Sequence, residues 1–261
     1  MSRRWQETLG PWLVVLALFA LWEAVVHVAR LPSFVLPAPT EIFATLARFA
    51  GPIAQHSAHT LMTTLIGFSF SVVGGVALGA AIGASQVAYK AVFPVLVGFN
   101  SIPKVAIVPV LIIWFGIGTV PAVITAFLIS FFPIVVNVAT GIATLEPELR
   151  DVLRSLGASR LDILRKVGLP RAAPYFFASL KVAITLAFVG SIISETVGSN
   201  EGVGYLMLQA SSRFQIPLVF AALVVVAAMG ISMYAIFASL ERRMTGWATR
   251  GMDQVAYATG H

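Results

Sequence analysis

Few residues in this chain have chemically active side chains, and they lie far apart. Asn100, Ser101 and Lys104 bring an amide, a hydroxyl and an ammonium into the apolar run "FNSIPKVAIVP". A cation at membrane depth is costly unless it faces protein or water. These three are therefore candidates for lining a solute pathway, where the lysine would suit an anion. The competing reading is a long stem that snorkels to an interface. Glu195 and Glu201 fall in "ETVGSNEGVGY", between two apolar blocks. There they can meet an external protein or simply solvate a loop. Glu23 and His27, four residues apart on the first apolar block, read as a mutually satisfied pair or as a proton relay. His56 and His59 have no carboxylate beside them in sequence and read as a loop pair.

Several chemistries are excluded. There is no cysteine, hence no disulfide, thiolate metal site or Cys nucleophile. The four histidines form no metal-ligand pattern. No paired acids and no Ser–His arrangement suggest an enzyme, and catalytic and metal-binding residues are expected to be none. No G-x-x-x-x-G-K-[ST] loop is present to cradle phosphates. No cofactor is expected on this chain.

The elements that must position these residues are apolar. Hydrophobic residues make up 58% of the 261 and charged residues 11%, against about 25% charged in soluble proteins. With roughly 20 apolar residues needed per crossing, the chain accommodates about six transmembrane helices: an all-α, polytopic membrane protein. Pro11–Ala29 is longer than a signal peptide's apolar region and "VARLP" is a poor cleavage site, so it reads as a retained first span. Thr40 is placed to cap an interfacial helix over Glu41–Phe49. Thr60–Ala84 repeats Gly67, Ser71, Gly75, Gly79 and Gly83 every four residues, a stripe that lets another helix approach closely. Ala91–Gly118 is a broken span, interrupted by Pro103, with Trp114 in the turn beyond it. Val120–Gly141, Pro174–Ser194 and Phe214–Leu240 complete the set. The divisions expected are 1–55, a first span and external interfacial segment; 56–244, the transmembrane domain; and 245–261, a basic tail.

The net charge of +6 belongs to orientation rather than to nucleic acid. Arg3, Arg4, Lys90, Arg154, Arg165 and Arg243 are among twelve cations on one side of a six-span arrangement; Arg30, Arg48 and Arg213 fall on the other. The excess marks the first side, with both termini, as cytoplasmic.

The same side holds "DVLRSLGASRLDILRKVGLP", 151–170, within a polar loop over 146–171. Pro147 and Glu148 suit a first helical turn. Gly157 suits a left-handed helix end. Ser159 and Asp162 have capping-box spacing, and Pro170 reads as a stop. Two short helices hinged at Gly157–Ala158 follow, with Leu153, Leu156, Leu161 and Leu164 as apolar contacts. Physics alone leaves two readings open: a basic hairpin lying on lipid headgroups, or a docking element for a cytoplasmic protein.

This segment resembles the EAA-xxx-G-x9-I-x-LP loop of the permease subunits of bacterial ABC importers. Asp151-Val152-Leu153 takes the EAA place, Gly157 follows at the same spacing, Val167 takes the Ile place and Leu169-Pro170 closes it. "SIPKVAIVPVLIIWFGIG" and "SETVGSNEGVGYLM" are similar to segments of the nitrate/sulfonate/taurine branch. The likeness spans about residues 10–245. It implies a type I permease fold in the bacterial cytoplasmic (inner) membrane, paired as a dimer, most simply a homodimer. It also implies two cytoplasmic ATPase subunits that hold ATP and Mg, and an external solute-binding protein. Docking to the ATPase would fall to Asp151, Leu153, Arg154, Leu156, Gly157, Ala158, Ser159, Leu161 and Leu164. Glu195 and Glu201 would meet the binding protein. A small anion such as a sulfonate, taurine or nitrate is the implied solute. The alternative function is a proton-coupled secondary carrier.

Overall fold

The structure, a computed structural model, describes residues 3–144 and 152–258. Among the described residues every regular element is a helix. In chain order these are α1 (Arg3–Val28), α2 (Pro39–Arg48), α3 (Ala50–Gly83), α4 (Gln86–Asn100), a 3₁₀ turn (Lys104–Ile107), α5 (Val108–Phe115) and α6 (Thr119–Ala143). After a helical turn at 152–155 come α7 (Arg160–Ile163), a π turn (Leu164–Gly168), α8 (Leu169–Gly198), α9 (Val203–Ser212) and α10 (Ile216–Ala258).

Four helices are long and apolar enough to cross a membrane: α3, α6, α8 with its lead-in, and α10. A fifth crossing is α4 with the 3₁₀ turn and α5, bent by 70° at the break. The described apolar part of α1, Leu13–Val28, is shorter. The bend has a chemical cause. Pro103 lacks an N–H and sits extended at φ −69°, ψ 92°, and Pro109 occupies the first turn of α5, where no N–H is required.

The core is a three-helix block of α3, α6 and α8, with α10 packed on α8. Phe68, Ala126, Ile134, Ile142, Ile184 and Phe188 are among its buried side chains. The small-residue stripe of α3 lies against α6, as its spacing predicts. A Cβ added at Gly79 would stand 2.8 Å from the Val135 carbonyl oxygen, and one at Gly67 2.6 Å from Ala126 Cβ. Gly190 of α8 also packs on α6, where an added Cβ would stand 3.1 Å from Ala126 Cα. Backbones in such contact gain many dispersion pairs that larger side chains would forbid. Ser71 cross-links the seam through Phe127 O at 3.0 Å and Ser130 Oγ at 2.7 Å.

Three local expectations change. α2 begins at Pro39 with Ala38 at the N-cap and no side-chain cap, because proline is preset for the first helical position. Thr40 is thereby freed: its N–H and hydroxyl donate to Glu23 at 3.1 and 2.7 Å. Glu23 also holds His27 at 2.9 Å, so this carboxylate caps α2 from another helix. The apolar stripe of α2 covers protein: Ile42 is buried with Ile53, Leu206 and Leu218. Finally, the backbone of α10 continues unbroken to Ala258, so no helix end marks a tail at 245. Near the base of that helix Glu241 pairs with Lys181 of α8, which gives the lysine inside the fifth apolar block a partner.

Candidate functional site

Three polar places stand out from this apolar frame. The first is the 152–170 hairpin. Gly157 N–H donates to Arg154 O at 2.9 Å and Ala158 N–H to Leu153 O at 3.0 Å. Gly157 sits at φ +84°. This is the Schellman pattern, in which a left-handed glycine recovers the last free carbonyls. Ser159 and Asp162 then cap each other: Asp162 N–H donates to Ser159 Oγ at 3.1 Å, Ser159 N–H to Asp162 Oδ2 at 3.3 Å, and the two side chains are themselves bonded. Both ends of the bend are thus fixed by hydrogen bonds that the sequence spacing predicts.

The hairpin presents an open groove of about 370 Å³, lined by Leu153, Leu156, Gly157, Ala158, Asp162 and Ile163, among others. Leu156 is 78% exposed, Val152 54% and Leu161 53%. Leu153 and Ala158 are half-buried, while Arg154 and Ser159 are exposed. Asp151, Glu146, Pro147 and Glu148 lie outside the described residues, and the side chains of Arg160 and Leu164 are likewise not described. Pro170 does not stop the helix. The π turn at Leu164–Gly168 leads straight into α8, and Pro170 falls in the first turn of that helix. The hairpin is therefore joined to a spanning helix without a flexible link.

The second place is the α4–α5 bend, where Lys104 meets Asn100 while Ser101 bonds back into α4. Lys104 Nζ donates to Asn100 O at 3.0 Å and to Asn100 Oδ1 at 2.9 Å. It also stands 5.2 Å from the Phe132 ring centroid, a cation–π distance. Two of its three N–H groups are thus used. Ser101 donates to Val97 O at 3.2 Å and is exposed.

The third place overturns an expectation. Glu195, expected in a loop that meets an external partner, lies inside α8 and is 1% exposed. The helix runs on to Gly198 because nothing before Ser199 breaks it. Glu195 Oε2 accepts from Thr60 Oγ1 at 2.8 Å and from Gly204 N–H at 3.1 Å. Thr60 Oγ1 in turn accepts from Val203 N–H at 2.8 Å, and His56 Nδ1 from Gly202 N–H at 3.1 Å. Three successive N–H groups at the start of α9 are therefore capped by side chains of α3 and α8, in place of a local cap. Gly202 is required twice over: it has φ +96°, and a Cβ there would run into the Glu195 carboxyl. Glu201 remains on the surface, its side chain 62% exposed, and pairs with His59 at 3.2 Å.

His56 and His59 are accordingly not a loop pair but part of α3. The signal was present. Positions 56, 59, 60, 63 and 64 are His, His, Thr, Thr and Thr, a polar stripe at helical spacing that only a buried polar partner explains. Among the described residues no group of three His, Asp or Glu could hold a metal.

Comparison with known proteins gives the family and the fold. Residues 71–246 match the family described as binding-protein-dependent transport system inner membrane component. A probable ABC transporter permease of Haemophilus influenzae is 31% identical over 87% of this chain and 92% of its own length. The riboflavin transport system permease of Chloroflexus aurantiacus is 32% identical over 92% and 90%. The taurine transport system permease of Escherichia coli is 25% identical over 95% and 91%. Among solved structures, the methionine ABC transporter MetNI in an inward-facing conformation shares the fold: TM-score 0.67, 20% identity, 76% of this chain and 98% of that one.

Proposed function

This chain belongs to the binding-protein-dependent inner-membrane transport components, and from that premise we propose that it forms the solute pathway of an ATP-driven importer as a dimer, most simply a homodimer. Its 146–171 loop docks a cytoplasmic ATPase that carries ATP and Mg, and an external binding protein delivers the solute. The termini and the loop then lie on the cytoplasmic side of a bacterial inner membrane, as the arginine excess supports.

The observation that carries this reading is the hairpin. Its bend is fixed by hydrogen bonds at both ends, its open groove sets the apolar Leu153, Leu156 and Ile163 beside Asp162 and Lys166, and it continues into α8. Such a rigid piece can transmit a push; a hairpin merely resting on lipid has no need of a fixed bend. The solute is a small anion. Lys104, with one N–H still free beside the Phe132 ring, supports that choice. The relatives include permeases named for taurine and for riboflavin, so the test covers both a sulfonate and a heteroaromatic solute.

The test is Leu156→Asp in the complete transporter in proteoliposomes. Solute-stimulated ATP hydrolysis is expected to fall at least about tenfold, because a carboxylate replaces an apolar contact at a desolvated interface. Full coupling in a folded Leu156→Asp protein would overturn the docking role. The carrier alternative is less supported, because Glu23 is held by Thr40 as well as by His27. Uptake driven by a pH gradient alone, without ATP, would restore it.

A further inference from the structure

His59 sits where four parts of the chain meet. Its Nδ1 lies 3.7 Å from Glu195 Oε1 of α8, and its Nε2 lies 3.2 Å from Glu201 Oε2 of the 199–202 loop. Nε2 is also 3.1 Å from the hydroxyl of Thr119, the first residue of α6. The ring is 10% exposed and the Glu195 side chain 0%. Both nitrogens of one buried ring therefore face carboxylate oxygens.

A neutral imidazole has one N–H and one bare lone pair; only the imidazolium donates from both nitrogens. A neutral ring protonated at Nδ1 can accept the Thr119 hydroxyl at its bare Nε2, but that lone pair then also faces the Glu201 carboxylate 3.2 Å away, and the tie to Glu201 is lost. His59 Nδ1 and Glu195 Oε1 are also both buried without a hydrogen-bond partner, and they face each other across the 3.7 Å gap. A proton shared between Nδ1 and Oε1 serves both. His56, three residues away on the same helix, is fixed in the opposite role: its Nδ1 accepts Gly202 N–H and must stay bare.

We infer that His59, Glu195 and Glu201 form a buried proton-binding site that latches α9 and the N-terminal end of α6 onto α3 and α8. When His59 is cationic it bridges Glu195 and Glu201. When it loses its proton one of those two ties is lost, and the 199–206 segment loosens. The remaining titratable groups nearby are His56 of α3 and Tyr205 of α9, whose ring lies 5.8 Å from that of His56; α6 contributes only the uncharged Thr119. Protonation of His56 in acid would cost the Gly202 bond, so the latch is tightest where His59 is charged and His56 is not. The proton here sets a mechanical state and is not the cargo. A role for the latch in transport rests on the importer reading; the proton site itself does not.

The test is hydrogen–deuterium exchange of the full chain in lipid nanodiscs, without partners, at pH 6 and pH 8.5, with intrinsic amide rates divided out. The interval spans the region where imidazoles exchange a proton. Wild-type exchange over 199–206 is expected to be about tenfold faster at pH 8.5, the worth of one charge-assisted hydrogen bond. His59→Gln should exchange fast at both values, while His56→Gln, which can still accept from Gly202, should keep the step. Amides of the α3–α6 seam report whether His59→Gln is folded; if it is not, Glu195→Gln, which keeps shape but not charge, must also abolish the step. A flat wild-type profile, or a step that survives both His59→Gln and Glu195→Gln, overturns the site. Solute uptake with ATPase and binding protein added is measured separately. Absent uptake beside an intact exchange step refutes the importer reading and leaves the proton site standing.

Discussion

Replacing Thr60 by valine removes one oxygen and changes shape very little. That oxygen does two jobs, accepting from Val203 N–H at 2.8 Å and donating to Glu195 Oε2 at 2.8 Å. Thr60 and Val203 are 0% exposed and Glu195 is 1% exposed, so water cannot readily replace either partner. Leaving a buried N–H unsatisfied costs about 1–3 kcal/mol, and losing a donor to a carboxylate about 1.5–3 kcal/mol. Glu195 retains the Gly204 N–H, which softens the second loss, so the sum is expected near 3 kcal/mol. For a chain of this size that lowers the unfolding midpoint by roughly 6–12 °C. Tryptophan-fluorescence melting of the detergent-purified protein measures it. Ser69→Ala is the control: Ser69 is exposed and bonds only Leu65 O in its own helix, so its midpoint should move by less than about 2 °C. A Thr60→Val protein that melts with the control would refute the claim that α9 is held through Thr60.

Other perturbations separate the remaining claims. Gly79→Leu puts a side chain where even a Cβ meets the Val135 carbonyl; loss of a monodisperse peak in size-exclusion chromatography is expected, whereas Gly51→Ala, in open space, should elute as wild type. Gly157→Val forces φ +84° on a β-branched residue at about 1–2 kcal/mol; the midpoint should shift little while ATPase co-purification drops several-fold. Glu23→Gln weakens the cap on α2, read as a small downward midpoint shift with no change in ATP-driven uptake. Lys181→Met is expected to be destabilising because it strands Glu241, while Lys181→Met/Glu241→Met should recover most of the loss; a double mutant as unstable as the single would show that the ion pair is not the reason.

Much of this architecture could be read locally. The four-residue small stripe announces a seam, and the Gly157, Ser159 and Asp162 spacing announces a bent hairpin; both depend on neighbours within a few residues. Pro103 likewise marks the broken span. The clasp around Glu195 could not be read that way. Its partners Thr60 and Glu195 are 135 positions apart, and only tertiary packing tells a buried carboxylate from a solvated one in a glycine-rich polar stretch. The same holds for Thr40, whose cap role looked local until Glu23 claimed it. The polar stripe at 56–64 was the available clue, because five hydrogen-bonding side chains on one face of a spanning helix require a counterpart. Pro170 misled for a different reason. Its effect depends on whether the preceding backbone is still helical, and the π turn decides that.

The position of Ala126 has a mechanical consequence. Gly67 of α3 and Gly190 of α8 both come so close to it that an added Cβ would stand 2.6 Å from its Cβ and 3.1 Å from its Cα, so α6 meets both neighbouring helices there with almost no side-chain cushion. Helices cushioned by long side chains can slip by rotamer changes; these cannot, because a shift of a fraction of a residue drives carbonyls into one another. The α3–α6–α8 block therefore behaves as a keel that tilts whole. Any change of shape that the membrane-embedded part undergoes is displaced to its margins, at the proline-softened elbow between α4 and α5 and along the α8–α10 contact.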